Sequence, residues 1–380
     1  MKKKEQLKRY APTLLFCVFI AVMTVLFFVL PKQSFSPDEK RVLEENPKFT
    51  LDSLADGSYG KSVENYLSDH FPGRKFFVGL NAYYNLYSGR NGSSDIYFGK
   101  DGYLINAPIT WNQENLQKNL DHINTLAQQI SAPVAVSVVP STGYIMEDKL
   151  PSVHRPYHDR EILQEVSSSL DPSIQYIDLQ QAFQEQASQQ QLYYKTDHHW
   201  TSAGAYLGYQ VLGQQLGFTP TKRDVYQVET CGGFYGTSYS HSGYWLSAPD
   251  TIELWHNPQL SDISVRIEET GKDPVESDSM FFPSHLEEED KYPVFLDGNH
   301  GYTKITNPDA PSGKLLLIKD SFGHCLAPFL AEQYQEIYMI DLRYYKNSLT
   351  ELAEQEGIDQ VLFLYGLDNM VNDTNFVWIK

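Results

Sequence analysis

The sequence predicts a three-layered α/β fold with a mostly parallel sheet, preceded by one transmembrane helix. Three observations carry this expectation. A single run of about twenty uncharged residues follows a basic N-terminus. From Asn112 onward, stretches of helical periodicity alternate with short apolar runs. Two of those runs, 132–140 and 315–318, are apolar almost without interruption, as strands covered on both faces of a parallel sheet must be.

The first ten residues hold five basic side chains against one acid, Glu5. The uncharged run then continues to Leu30 and closes at Pro31-Lys32. A helix of that length, at 1.5 Å per residue, crosses the apolar part of a bilayer. Lysine and arginine before it stay on the cytoplasmic side, which puts the rest of the chain outside. A cleaved signal peptide is the alternative, although the run is longer than a usual h-region and no A-x-A pattern follows. The expected divisions are 1–10 as cytoplasmic tail, 11–31 as signal anchor, 32–110 as extracellular neck and 111–380 as the main domain. The net charge is −18, and the first ten residues contribute +4, so the remainder carries −22. That balance argues against nucleic acid as a partner. It also makes a polyanionic glycan costly to bind unless the site is locally basic. Cys17 lies in the apolar run, and Cys231 and Cys325 could pair in an oxidising compartment, though two cysteines offer no spacing argument.

The neck is rich in Ser, Asp, Gly and aromatics, with helices expected near 63–67 and around 74–87. Residues 114–130 place Leu116, Leu120, Ile123, Leu126 and Ala127 at helical spacing. A buried strand over 132–140, a helix over 159–170 and a strand over 174–179 come next. Residues 202–216 read as a helix with Thr201 as its N-cap. The stretch 219–311 looks irregular, and its acidic run 285–290 looks like a solvated loop. Alternation then resumes with strands at 314–319, 336–342 and 360–365 and helices at 322–333 and 348–356. Such alternation implies βαβ units.

Reactive groups in open α/β sheets stand at the carboxyl ends of strands. The strand 314–319 runs into Asp320-Ser321, and a helix starts at once. A serine there exposes its hydroxyl, and the N–H groups of Ser321 and Gly323 lie at a helix N-terminus suited to an oxyanion. The alternative is a plain N-cap. The second point is Tyr193-Tyr-Lys-Thr-Asp-His-His-Trp200. There Asp197 can orient the ring of His199 and stabilise its imidazolium. Asp197, His198 and His199 could instead begin a metal site, completed by His241, His300 or His324. Ser238, in Gly236-Thr-Ser-Tyr-Ser240, has no apolar strand before it and no clear helix after it. It reads as part of a loop lining the site.

The residues Thr196-Asp-His-His-Trp200 resemble the signature of the DHHW protein family. That family is similar to the alginate O-acetyltransferase-like branch of the SGNH/GDSL hydrolase superfamily. Phe35-Ser-Pro-Asp-Glu-Lys-Arg41 with Pro47-Lys-Phe49, and Asp69-His-Phe-Pro-Gly-Arg74, fit the same family. So do Asp297-Gly-Asn-His300, Ile318-Lys-Asp-Ser-Phe-Gly323, Pro328-Phe-Leu330 and Ile340-Asp-Leu-Arg343. The resemblance thus covers nearly the whole chain after the apolar run.

It implies an SGNH-like fold in permuted order, with Asp-x-His ahead of the serine. It further implies Ser321 as nucleophile, His199 as general base and Asp197 as orienting acid, with no cofactor and no metal. The glycine that usually precedes Asp-Ser is missing, and the oxyanion blocks are not evident. Gly298 and Asn299 are the first candidates there, and Asn369 the next. His198 takes a structural or substrate role, and Trp200 covers the triad or binds sugar. Lys319, His324 and Arg343 face the cleft, the core or the surface. The implied activity is acetyl transfer through an acetyl-serine to hydroxyls of a cell-envelope or exported polysaccharide. The enzyme would be single-pass, its catalytic domain extracellular, and a multispanning membrane acyltransferase would supply the acetyl groups. The same triad serves an esterase, and the same cleft serves a non-catalytic polysaccharide-binding protein.

Overall fold

A computed structural model describes residues 2–36, 39, 41–288 and 290–379. Pro37, Asp38 and Lys40 of the 35–41 motif and Glu289 of the acidic run lie outside the described residues. The chain divides into two compact units, one comprising residues up to Gly89 together with Gly243–Trp245, the other comprising Arg90–Ser242 and Leu246–Lys380.

The first unit begins with helix α1, Lys2–Val29, whose stretch Arg9–Val29 has a mean hydropathy of 2.6 and is long and apolar enough to cross a membrane. Helices α2, Ser58–Asp69, and α3, Arg74–Tyr87, follow. The helix expected at 74–87 has those bounds, and the one near 63–67 lies inside α2. Ion pairs join two of the family motifs. Arg41 donates to the Asp69 carboxylate at 2.5 Å, and Arg74 donates to Glu39 at 2.7 Å.

The second unit is built on an eight-stranded sheet. Its strands are β1 (Val134–Val139), β2 (Gln175–Ile177), β3 (Ser264–Glu268), β4 (Val275–Ser277), β5 (Tyr302–Thr306), β6 (Ser312–Lys319), β7 (Tyr334–Ile340) and β8 (Gln360–Gly366). Their order is β4-β3-β5-β7-β6-β8-β1-β2. The five strands from β7 to β2 run parallel, and β4, β3 and β5 add an antiparallel edge. Helices that cover the sheet include α4 (Gln113–Gln129), α5 (Asp159–Ser169), α6 (Ser202–Leu216), α7 (Phe322–Leu330) and α8 (Leu349–Glu356).

Side-chain alternation divides each apolar run between two cores. Val134, Val136 and Val138 join Leu316, Ile318, Val361 and Phe363 under α4, α5 and α8. Ala135, Val139, Leu315, Leu317, Leu362 and Leu364 pack on the other face with α6 and α7. The expected three layers follow from this division. Thr201 caps α6 as expected, its hydroxyl accepting from Gly204 N–H.

The stretch 219–311 is more regular than its composition suggests. It holds a hairpin, Gln227–Phe234 with Asp250–His256, and the strands β3 to β5. These strands carry one wet face. In β3, Val265 and Ile267 are buried while Ser264, Arg266 and Glu268 face solvent, so no continuous apolar run marks it. Part of the acidic run forms a 3-10 helix, Pro283–Glu287, and the His285 ring lies 2.6 Å from the Asp297 carboxylate. Cys231 and Cys325 are unpaired, and Cys325 is buried with its sulfur 3.6 Å from the Ser202 hydroxyl.

Candidate active site

Strand β6 ends at Lys319, and the chain turns through Asp320-Ser321 into α7 at the carboxyl edge of the sheet. Asp320 organises that turn. One carboxylate oxygen accepts from Phe322 N–H at 2.9 Å. The other accepts from Gly366 N–H at 2.8 Å and from Asn369 Nδ2 at 2.9 Å, which ties the turn to the end of β8. Burial pushes the Asp320 carboxyl above its usual range. Ser321 begins the helix with αR backbone angles, and its side chain makes no capping bond. Instead its Oγ lies 2.6 Å from His199 Nε2.

The His199 loop is folded back on itself by a bridge between Tyr193 and Trp200. His199 Nδ1 is 2.5 Å from Asp197 Oδ1, which also accepts the His199 backbone N–H at 2.9 Å. An ionised carboxylate only accepts, so Nδ1 carries the proton and Nε2 is left to accept from the serine hydroxyl. The other Asp197 oxygen accepts from the Thr237 backbone N–H at 2.7 Å and from its hydroxyl at 3.0 Å. Gly236 makes this approach possible, because a Cβ there would fall 2.1 Å from Asp197 Cβ. The His199 ring stacks on Tyr292, with centroids 4.1 Å apart and planes 11° apart. Tyr292 also donates its hydroxyl to the Ser321 carbonyl at 3.2 Å. Hydroxyl, imidazole and carboxylate thus form a chain able to move a proton from oxygen to Nε2.

A cleft of about 540 Å³ adjoins these residues. His198, Thr237, His241, Phe322 and Asn369 line it, together with Asn106, Arg155 and Asp368. His198 Nδ1 lies 2.6 Å from Thr237 Oγ1. Because that hydroxyl donates to Asp197, it accepts from the His198 ring. Ligand atoms of Asp197, His198 and His199 all lie within 4.8 Å of one another, close enough for a cation. Those of Asp197 and His199, and His198 Nδ1, are engaged in the hydrogen bonds just described.

The remaining expected residues fall elsewhere. Trp200 is fully buried, stacked on Phe183, and donates to the Phe322 carbonyl at 3.2 Å, so it props the turn from below. Gly323 N–H donates to the Asp320 carbonyl at 3.1 Å. Asn299 Oδ1 accepts from Arg343 at 3.0 Å, and neither it nor Gly298 is among the cleft residues, whereas Asn369 is. Lys319, His324 and Arg343 form a network with Asp341 beneath the turn. Lys319 Nζ is 2.6 Å from His324 Nε2 and 3.4 Å from Asp341 Oδ2. Arg343 grips the same carboxylate at 2.9 and 2.6 Å. Burial, then the Lys319 charge, hold His324 well below the usual imidazole range. Ser238 is preceded by the strand Gln227–Phe234 and lies in the helix Thr237–Ser242, contrary to the loop expected. That strand is mostly exposed and so leaves no apolar run to read. The Ser238 hydroxyl donates to Asn106 Oδ1 at 3.1 Å.

Thr237 and Tyr292 had no mark in the sequence, since each meets the triad across a long chain separation. A family model described as DHHW protein matches residues 161–340. The DHHW likeness read from the motifs holds. A crystal structure of a DHHW family protein from Eubacterium siraeum DSM 15702 superposes with a TM-score of 0.63 at 21% identity, covering 74% of this chain and 94% of that one. Bacillus cereus PatB1, solved with a sulfonyl adduct, superposes with a TM-score of 0.65 at 22% identity, covering 75% and 98%. The DHHW segment contains Asp197, His199 and Ser321, and the three-layered α/β fold expected from the sequence is shared by this chain with both structures. No curated protein matches the chain in sequence.

Proposed function

We propose that the second unit is a serine-dependent O-acetyltransferase of the cell envelope. The observation that carries this is the unbroken chain from Ser321 Oγ through both nitrogens of His199 to Asp197. His199 Nε2 takes the hydroxyl proton as Ser321 attacks an acyl donor, and the leaving group departs with that proton. The acetyl-serine then passes its acetyl group to a sugar hydroxyl, whose proton returns through the same nitrogen. The Ser321 N–H and the second N–H of Asn369 are suited to the developing oxyanion. His198, beside Thr237 on the cleft wall, is suited to contact the acceptor.

The triad serves any acyl group. The choice of acetyl, and of a cell-envelope or exported polysaccharide as acceptor, rests on the DHHW and alginate-branch likeness of the motifs. In this reading α1 anchors the chain in the membrane, the rest lies outside, and a multispanning membrane acyltransferase delivers the acetyl groups. Chromatography and mass spectrometry of products from an acetyl donor, with and without neutral oligosaccharides, provide the test. An acetylated oligosaccharide that disappears in Ser321→Ala and survives chelator supports the proposal. Free acetate alone, with every acceptor offered, supports the esterase. Loss of turnover with chelator supports a cation at Asp197-His198-His199, where three ligand atoms converge.

A further inference from the structure

Helix α3 presents an unusual outer face. From Phe76 to Tyr87 it carries no charged residue. Phe76, Leu80, Tyr84 and Tyr87 are 66%, 55%, 69% and 86% exposed. At 100° per residue these four fall within about 80° of arc, one continuous stripe. The opposite face is occupied. Gly79 and Ala82 are buried, a Cβ at Gly79 would strike the Trp245 indole, and Trp245 donates to the Lys75 carbonyl at 2.8 Å. The helix is therefore held from behind while its aromatic stripe stays bare.

Exposed apolar side chains are concentrated in this unit. Among the described residues, eleven large apolar side chains stand exposed between Phe35 and Tyr87, against six in the whole second unit. A contiguous apolar surface of this kind marks a docking face. What covers it follows from its neighbour. Phe77 of α3 meets Phe19 of α1 edge to face, with centroids 6.2 Å apart, and Tyr66 of α2 meets Phe27 of α1 at 6.0 Å. Phe19 and Phe27 both lie in the Arg9–Val29 stretch. The apolar surface of the span thus continues directly onto α3. The uncharged stretch of Phe, Leu, Tyr and Asn over 76–87 has the composition of a helix lying along a bilayer, its apolar side chains among the lipid.

We propose that α3 lies in the outer leaflet of the bilayer that α1 crosses, with Phe76, Leu80, Tyr84 and Tyr87 among phospholipid acyl chains. The inference rests on the anchor reading of α1 and is independent of the triad. The test uses the full chain reconstituted in phosphatidylcholine–phosphatidylglycerol vesicles containing a phospholipid with a diazirine-bearing acyl chain. Illumination, proteolysis and mass spectrometry then map the adducts. The expected result is labelling in the α1 span and on the 76–87 peptide. The variant carrying Phe76→Glu, Leu80→Glu and Tyr84→Glu should lose the second set of adducts while keeping the first, with p-nitrophenyl acetate turnover unchanged. The wild-type pattern decides the question even if that variant misfolds. A labelled span beside an unlabelled 76–87 peptide overturns the proposal and leaves the stripe to a protein partner or a second copy. An unlabelled span overturns the anchor and this inference together, while the turnover measurement reports separately on the proposed chemistry.

Discussion

Asp197 is the most heavily held side chain of the site, with the His199 ring, the His199 backbone and both donors of Thr237 on its two oxygens. An amide in its place presents an NH₂ to some of those donors and favours the wrong imidazole tautomer. Asp197→Asn should therefore lower kcat by about 10⁴-fold with little change in folding, the effect of the same change in a serine protease triad. Steady-state kinetics beside a thermal melt checks both parts. Thr237→Val keeps the backbone donor and deletes the hydroxyl. A hydrogen bond to a charged group is worth about 1.5–3 kcal/mol, so kcat/KM should fall roughly 10- to 100-fold. The motif Thr196-Asp-His-His-Trp200 made the contact of Asp197 with the His199 ring legible because carboxylate and imidazole sit two residues apart. Ser321 was legible from the strand that runs into it. Thr237 was not, because its contact with Asp197 spans 40 residues and no local pattern records such a meeting. Tyr292 was hidden for the same reason, in a stretch read as irregular.

At the scale of elements, the parallel strands announced themselves because both of their faces are covered. The antiparallel edge did not, because alternation of buried and wet positions in five-residue strands is a weak signal. Helix α5 offers a test of how its start is built. Asp159 is 2% exposed and accepts the Ser141 N–H at 2.7 Å. Burial outweighs that bond and raises its pKa to about 6, against about 3.9 in an open chain. The folded state thus favours the neutral acid. This contribution is fully present below about pH 4 and is lost as pH rises through 6. The melting temperature of the native chain, relative to Asp159→Asn, should fall between pH 4 and pH 8. A constant difference across that range would contradict the assignment.

Taken as a whole, the molecule is acidic, −18 in total and −22 after the first ten residues. Long-range repulsion of polyanions follows, and salt screens it beyond about 10 Å at 0.1 M. Neutral oligosaccharides should outperform uronate or phosphate-bearing ones as acceptors at low ionic strength, and the gap should narrow as salt is added. Equal rates at both extremes would show that the cleft supplies its own cationic contacts. Composition made this charge balance readable at once, whereas the exposed stripe of α3 required the fold. Helical spacing alone marks a core face as readily as a docking face.

The central claim is that Ser321 carries the acyl group, and one measurement addresses it directly. The chain from Gln33 onward is incubated with p-nitrophenyl acetate, and intact mass and peptide mapping follow, with Ser321→Ala and Ser238→Ala in parallel. The account predicts a single added acetyl on Ser321, present in Ser238→Ala and absent, together with turnover, in Ser321→Ala. Acetyl on another residue, or turnover that persists in Ser321→Ala, would contradict it.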